Sequence, residues 1–170
     1  MTEKFEIKPK NKKHFKKLLR FAKQILGICK SLKLTPIVYG GLAYLYYTKD
    51  ESFPVRDLDF LVSESTFTDL IKLLDKQKNL THKKMPYHSI EVFSDDLEID
   101  LDSMEHFLGS RSKDIHKVQI ERIELSILNI EALIDIYEKA LEEMPQIRKL
   151  DEKRKNYTKK LENLKQSNRF

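Results

Sequence analysis

Apolar residues recur at helical spacing from about Lys12 to Leu32, placing Phe15, Leu18, Leu19, Ala22, Ile25, Leu26 and Cys29 on one face. Lys33-Leu-Thr-Pro breaks the pattern, and Pro36 opens a short apolar strand, Ile37–Tyr39. The turn Gly40-Gly41 leads into Leu42–Tyr47, an apolar and aromatic segment long enough for about two helical turns. After a polar loop over 48–54, the run 57–62 reads as a strand. Ser65 or Thr66 then caps a helix to about Lys76, which buries Phe67, Leu70, Ile71, Leu73 and Leu74. Ser89–Phe93 and Leu97–Asp102 form a hairpin through Ser94-Asp95-Asp96. Residues 104–110 are a short helix or loop. The alternation of Val118, Ile120, Ile123, Leu125 and Ile127 predicts one or two strands over 116–128. Two helices, about 130–143 and 147–166, close the chain on either side of Met144-Pro145. This order predicts the α+β class: a mixed β-sheet with helices packed on it and a C-terminal helical pair. It divides into a helical segment (1–33), a core (34–128) and C-terminal helices (129–170), expected to form one compact unit.

Composition narrows this picture. The chain has 170 residues, 40% hydrophobic and 35% charged, and a net charge of +5. That length suits one domain, and the charge is modest for a dedicated nucleic-acid binder. One cysteine, Cys29, excludes an internal disulfide and a cysteine-based zinc site, and its helical context predicts a buried thiol. No run approaches the ~18 apolar residues of a membrane span, and the N-terminus is charged rather than signal-like. The expectation is a soluble cytoplasmic protein that does not engage a membrane.

Candidate chemistry lies in two acidic strands and one glycine pair. In Val55-Arg-Asp-Leu-Asp-Phe-Leu-Val62, residues two apart share a strand face, so Asp57 and Asp59 point together, opposite Leu58 and Phe60. Paired carboxylates repel unless a cation compensates them, and hard divalent ions such as Mg2+ favour carboxylates together with substrate phosphates. Gly40 and Gly41, ending a strand and opening a helix, offer backbone N–H groups to a phosphate. The second acidic strand, Leu97-Glu-Ile-Asp-Leu-Asp102, places Glu98, Asp100 and Asp102 on one face. Either strand alone could be a solvated edge. Together, the two halves indicate phosphate chemistry with metal ions.

In this order, the strand, Gly40-Gly41, the short helix, Asp57-Leu-Asp59 and Asp100 resemble the nucleotidyltransferases of the DNA polymerase beta superfamily. The likeness is greatest to the abortive-infection (AbiEii-like) nucleotidyltransferase-like proteins, and it covers roughly residues 35–140. It implies a transferase that moves a nucleoside monophosphate from an NTP, with ATP expected, to an acceptor hydroxyl. Two Mg2+ ions would assist. By this resemblance Asp57 and Asp59 hold the ions against the triphosphate. Asp100 ligates the ion at the acceptor hydroxyl and helps take its proton, with Asp102 as its competitor one step along the same face. Gly40 and Gly41 let the backbone approach the triphosphate, where a side chain would clash. Arg56 either contacts a phosphate or pairs with a neighbouring aspartate. Leu128 to Lys139 resembles the family's strand that leads into a lysine-bearing helix. Arg154-Lys155-Asn156 is the best match to an Arg-x-Lys-Asp segment, with asparagine replacing the aspartate.

The five histidines show no metal-ligand spacing. Tyr44, Tyr46 and Tyr47 either stack on a base or enter the core. The basic segments Lys8–Lys17 and Lys149–Lys165 either contact RNA phosphates or form solvated helix faces. The acceptor, whether RNA, a protein side chain or a small molecule, is left open, as is an oligomer. A second function fits the same residues: a catalytically degenerate module that keeps nucleotide or RNA binding, or serves as a toxin–antitoxin component. Asn156 favours that reading. A third is a small α+β domain with merely exposed acidic faces, in which Asp57, Asp59 and Asp100 do not converge.

Overall fold

The computed structural model describes residues 2–169. The first helix, α1 (Lys12–Ser31), buries Phe15, Leu18, Leu19, Phe21, Ala22, Ile25 and Cys29 along one stripe. Burial pushes the Cys29 thiol up to about 12, as expected for a thiol in apolar surroundings. Strand β2 (Ile37–Tyr39) passes at once into helix α2 (Gly40–Thr48), so the glycines belong to the helix rather than to a separate turn. Strand β3 (Leu58–Val62) follows, with Asp57 just before it rather than inside it. A 3-10 turn, Glu64–Thr66, leads into α3 (Phe67–Asp75).

The hairpin is β5 (Ser89–Ser94) and β6 (Leu97–Ser103), with α4 (Met104–Phe107) after it. The alternating run resolves into two strands, β7 (Ile115–Ile120) and β8 (Ile123–Leu128). Helix α5 (Ile130–Glu143) starts at Asn129, whose side chain accepts a hydrogen bond from the Ala132 N–H at 2.9 Å. Helix α6 (Asp151–Asn168) starts after a 3-10 turn over Arg148–Leu150. Two strands were not visible in the apolar pattern: β1 (Glu3–Lys4) and β4 (Thr81–Met85). Both are polar edge strands, and an edge buries too little to need apolar alternation.

The eight strands form one sheet in the order β1-β7-β8-β2-β3-β6-β5-β4. Pairing is mixed: β3 runs parallel to β6 and antiparallel to β2, while β6 runs antiparallel to β5. Strand β3 is central, and Leu58, Phe60, Leu61 and Val62 are all buried. Helices α1 and α3 pack on each other, with α1 against β6, whereas α2, α5 and α6 form a separate cluster with α2 against β2 and β3. The C-terminal pair is therefore tied to the strand–helix junction at Gly40. No helix among the described residues is long and apolar enough to cross a membrane.

Phe60, at the centre of the sheet with no exposed surface, is the sharpest test of this core. Phe60→Ala should cost about 3–5 kcal/mol through lost burial and the cavity left behind. Urea unfolding should show it as a lower midpoint with an unchanged slope.

Candidate active site

A row of polar residues crosses four adjacent strands. Tyr39 on β2 is in register with Asp59 on β3, Asp59 with Asp100 on β6, and Asp100 with Glu91 on β5. Neighbouring strands lie about 4.8 Å apart, so Asp59 and Asp100 are held side by side by backbone pairing alone. Their strand neighbours Leu58, Phe60, Ile99 and Leu101 point the other way and have no exposed surface. Sliding either strand by one residue would bury the carboxylates in that core, which fixes the register.

Asp57 is placed by a different device. The Asn11 side-chain amide donates to the Val55 carbonyl at 2.5 Å and accepts from the Val55 N–H at 3.0 Å. Next to this clamp, Lys10 N–H donates to the Phe53 carbonyl at 3.1 Å, and His14 Nε2 lies 2.9 Å from the Arg56 carbonyl. The start of α1 thereby holds the loop that delivers Asp57 to the end of β3. Nothing in the periodicity of α1 marks Asn11 for this role. Its residue type, which can mimic a backbone unit, was the available signal.

Gly40 adopts φ +67°, in the left-handed region, and a Cβ there would overlap the Asp59 carboxylate. A Cβ on Gly41 would meet the Phe53 ring at 3.4 Å. The sequence explains the glycines only by close approach to a phosphate; the structure adds that Asp59 occupies the space a side chain would need. The first N–H groups of α2 lack intrahelical partners, so the carboxylates and these donors share one place.

Asp100 and Asp102 are told apart by their partners. Asp102 is 5% exposed, and its carboxylate accepts from the Ser89 hydroxyl at 2.5 Å and from the Tyr39 hydroxyl. Both of its oxygens are engaged. Asp100 Oδ1 is buried and has no hydrogen-bond partner. Among the described residues, Glu91, Glu98 and Asp100 each place one oxygen within 4.8 Å of the others'. Asp57, Asp59 and Asp100 are not drawn together that tightly. Asp59 nonetheless feels both of the others: burial pushes its carboxyl well above the usual range, followed by repulsion from Asp57 and Asp102, while a contact with Asp100 pulls it back. Burial, then the charges of Asp59 and Glu98, push Asp100 up to about 10. Burial also raises Asp57, which Lys160 partly offsets.

These residues open into a cleft of about 1100 Å³ that also takes in Gly40, Gly41, Arg56, Tyr44 and Phe53. Its opposite wall is α5 and α6, with Tyr137, Lys153, Asn156, Tyr157, Lys159 and Lys160. Arg56 is exposed at the edge of the cleft, makes no ion pair among the described residues, and its charge lowers the Asp57 carboxyl. Lys160 is the cation nearest in effect to the carboxylates. Burial lowers its pKa, while Asp59 and Asp57 raise it. The sequence marks Lys160 only as one of the basic segment Lys149–Lys165, while the motif Arg154-Lys155-Asn156 points elsewhere. In the fold Arg154 instead donates to the Pro145 carbonyl and pairs with Asp151 at 3.3 Å, and Lys155 is exposed. Lys139 pairs with Glu143 at 3.8 Å. Glu91 was also missed, although the hairpin places it opposite Asp100.

Of the three tyrosines, Tyr46 is buried and hydrogen-bonds Glu3 at 2.8 Å, and Tyr47 donates to the Leu128 carbonyl at 2.6 Å. Tyr44 is buried yet lines the cleft, where Asn163 donates to its hydroxyl at 2.9 Å. His82 and His88 pair with Asp75 and Glu64 at 2.6 and 2.7 Å.

No family model matches the sequence, and no curated protein is significantly similar to it. Solved structures do match. ANT(2'')-Ia in complex with adenylyl-2''-tobramycin is 15% identical at a TM-score of 0.56, covering 88% of this chain and 95% of that one. The lincosamide antibiotic adenylyltransferase LnuA, bound to lincomycin, is 14% identical at 0.52, covering 85% and 94%. The Megavirus polyadenylate synthase is 15% identical at 0.55, covering 85% of this chain and 31% of that one.

Two outcomes follow from the geometry. Asp100 favours its protonated form in the fold, so the folded state binds more protons than the unfolded one from about pH 4 up to about pH 10. Its contribution to stability therefore falls as pH rises through that window. In chelator-treated protein, Asp100→Asn should raise Tm at pH 8 by about 2–4 °C for each kcal/mol of repulsion relieved, with little gain at pH 4. Gly40→Ala should cost about 1–3 kcal/mol from its backbone conformation and displace Asp59, read as a lower denaturation midpoint. Sheet order, helix placement and the solved neighbours agree: the chain has a nucleotidyltransferase fold.

Proposed function

We propose that this protein is a metal-dependent nucleotidyltransferase that moves a nucleoside monophosphate from an NTP, ATP first among them, to an acceptor hydroxyl. The observation that carries the reading is the side-by-side register of Asp59 and Asp100 next to the Gly40-Gly41 helix start, with one buried Asp100 oxygen lacking any protein partner. That oxygen fits a cation, and burial, followed by the charges of neighbouring carboxylates, raises the Asp59 and Asp100 carboxyls, a repulsion a cation would relieve. Mg2+ suits an all-carboxylate donor set completed by substrate phosphates. Asp57 and Asp59 would hold one ion, and Asp59 and Asp100 a second. When bound, such ions supply Lewis-acid polarisation and neutralise charge on the transferring phosphoryl group.

The chain's own residues do the rest. The first N–H groups of α2 bind phosphate oxygens, helped by the helix dipole. Arg56 and Lys160 face the same cleft and add positive charge for a triphosphate. Asp100 helps take the proton of the acceptor hydroxyl as the hydroxyl oxygen bonds to the α-phosphorus, and pyrophosphate departs. Asp102, held by Ser89 and Tyr39, positions the end of β6 and the start of α2 rather than taking part in the transfer. Oriented reactants and fixed electrostatics supply most of the rate in phosphoryl chemistry of this kind.

Calorimetric titration with ATP, with and without Mg2+, tests the reading. Wild type should bind only with Mg2+, and Asp57→Ala/Asp59→Ala should weaken binding at least ~100-fold, about 2.7 kcal/mol. Equal binding in chelator, unaffected by the double substitution, would contradict it and point to a nucleotide-binding module.

A further inference from the structure

Lys160 carries its charge into the cleft in an unusual setting. Its Nζ lies 5.0 Å from the ring centroid of Phe53, 5.6 Å from that of Tyr157 and 5.8 Å from that of Tyr137. All three are within the range of a cation–π contact. Among the described residues, no carboxylate oxygen comes within the 4.0 Å of an ion pair with it. Yet Asp57 and Asp59 attract it strongly enough to offset part of its burial. A lysine on a flexible four-carbon stem, facing two half-buried carboxylates across a cleft, would ordinarily close the gap. Something holds it back.

The three rings come from three separate segments. Phe53 lies in the loop held by Lys10 and the Asn11 clamp, and it packs on Tyr44 with centroids 4.8 Å apart. Tyr137 is buried in α5, and Tyr157 on α6 meets it edge-on at 5.4 Å. We propose that Phe53, Tyr137 and Tyr157 form a cage that holds the Lys160 ammonium off Asp57 and Asp59. The carboxylates then stay open to metal ions and the lysine stays open to the triphosphate. This rests on the metal-site reading above and adds a positioning role for three aromatic residues. Without the cage, Lys160 collapses onto Asp57 and Asp59 and competes with the ions they would hold.

The test is Mn2+ binding to chelator-treated protein, measured by the electron paramagnetic resonance of the free ion, with Tm of each variant as a folding control. Phe53→Leu keeps apolar volume and removes the ring, and should weaken Mn2+ binding roughly three- to tenfold. Tyr157→Leu should do the same, and carries the test by itself if Phe53→Leu does not fold. Lys160→Met should bind Mn2+ at least as tightly as wild type. In Phe53→Leu/Lys160→Met the loss should vanish, because no ammonium remains to collapse. A purely structural role for the rings would leave the loss intact in the double variant. That result, or unchanged affinity in folded Phe53→Leu and Tyr157→Leu, overturns the cage. Wild type that binds no Mn2+ overturns the metal-site reading with it, whereas wild-type binding indifferent to the rings overturns the cage alone.

Discussion

Mutual repulsion among carboxylates that the backbone will not let separate is the constraint on which this structure depends. Strand pairing fixes Asp59 beside Asp100, and Asp59 lies under Gly40, where no side chain fits. Sheet geometry, not side-chain preference, sets their separation. Burial and the neighbouring negative charges push both carboxyls upward. Such an arrangement costs stability in any protein that does not use it. Natural folds keep strain of this kind at places where the chemistry needs it.

Much of the remaining architecture manages that cost. Asp102, which shares the acidic face, has both oxygens occupied by hydrogen bonds from Ser89 and Tyr39. The Asn11 clamp brings Asp57 to the mouth of the row without burying it in β3. Helices α5 and α6 add a wall of opposite charge, with Lys153, Lys159 and Lys160 lining the cleft that the carboxylates floor. Opposite charges thus face each other across open space rather than in contact. That arrangement suits a polyanion carrying its own cations, since each wall takes the part of the ligand with the complementary sign.

The central features were legible in the sequence because they obey short periods. Strand β6 alternates apolar and acidic residues, and in β3 Asp59 stands between Leu58 and Phe60, which placed Asp59 and Asp100 on faces opposite the core. Gly40-Gly41 marked the junction between β2 and α2. Alternation puts Asp100 and Asp102 on the same face of β6 and does not separate them, whereas in the fold they differ in which oxygens already have partners. Edge strands β1 and β4 escaped notice because polar residues suffice at an edge. Asn11 and Lys160 escaped for another reason: each acts across the fold on residues far away in the chain. A local motif led instead to Arg154 and Lys155, which the fold uses to pin the start of α6 or leaves in solvent. Periodicity reports which face a residue takes, not what it meets there.

The proposed transfer requires Asp59 to bridge two ions, one held also by Asp57 and the other by Asp100. Anomalous scattering from crystals grown with Mn2+ and a non-hydrolysable ATP analogue addresses it most directly. Mn2+ peaks are expected on both sides of Asp59, one shared with Asp57 and the other with Asp100, with the phosphates at the start of α2. Mn2+ found only at Glu91 and Glu98, or no metal at Asp59 with the nucleotide bound, would contradict it.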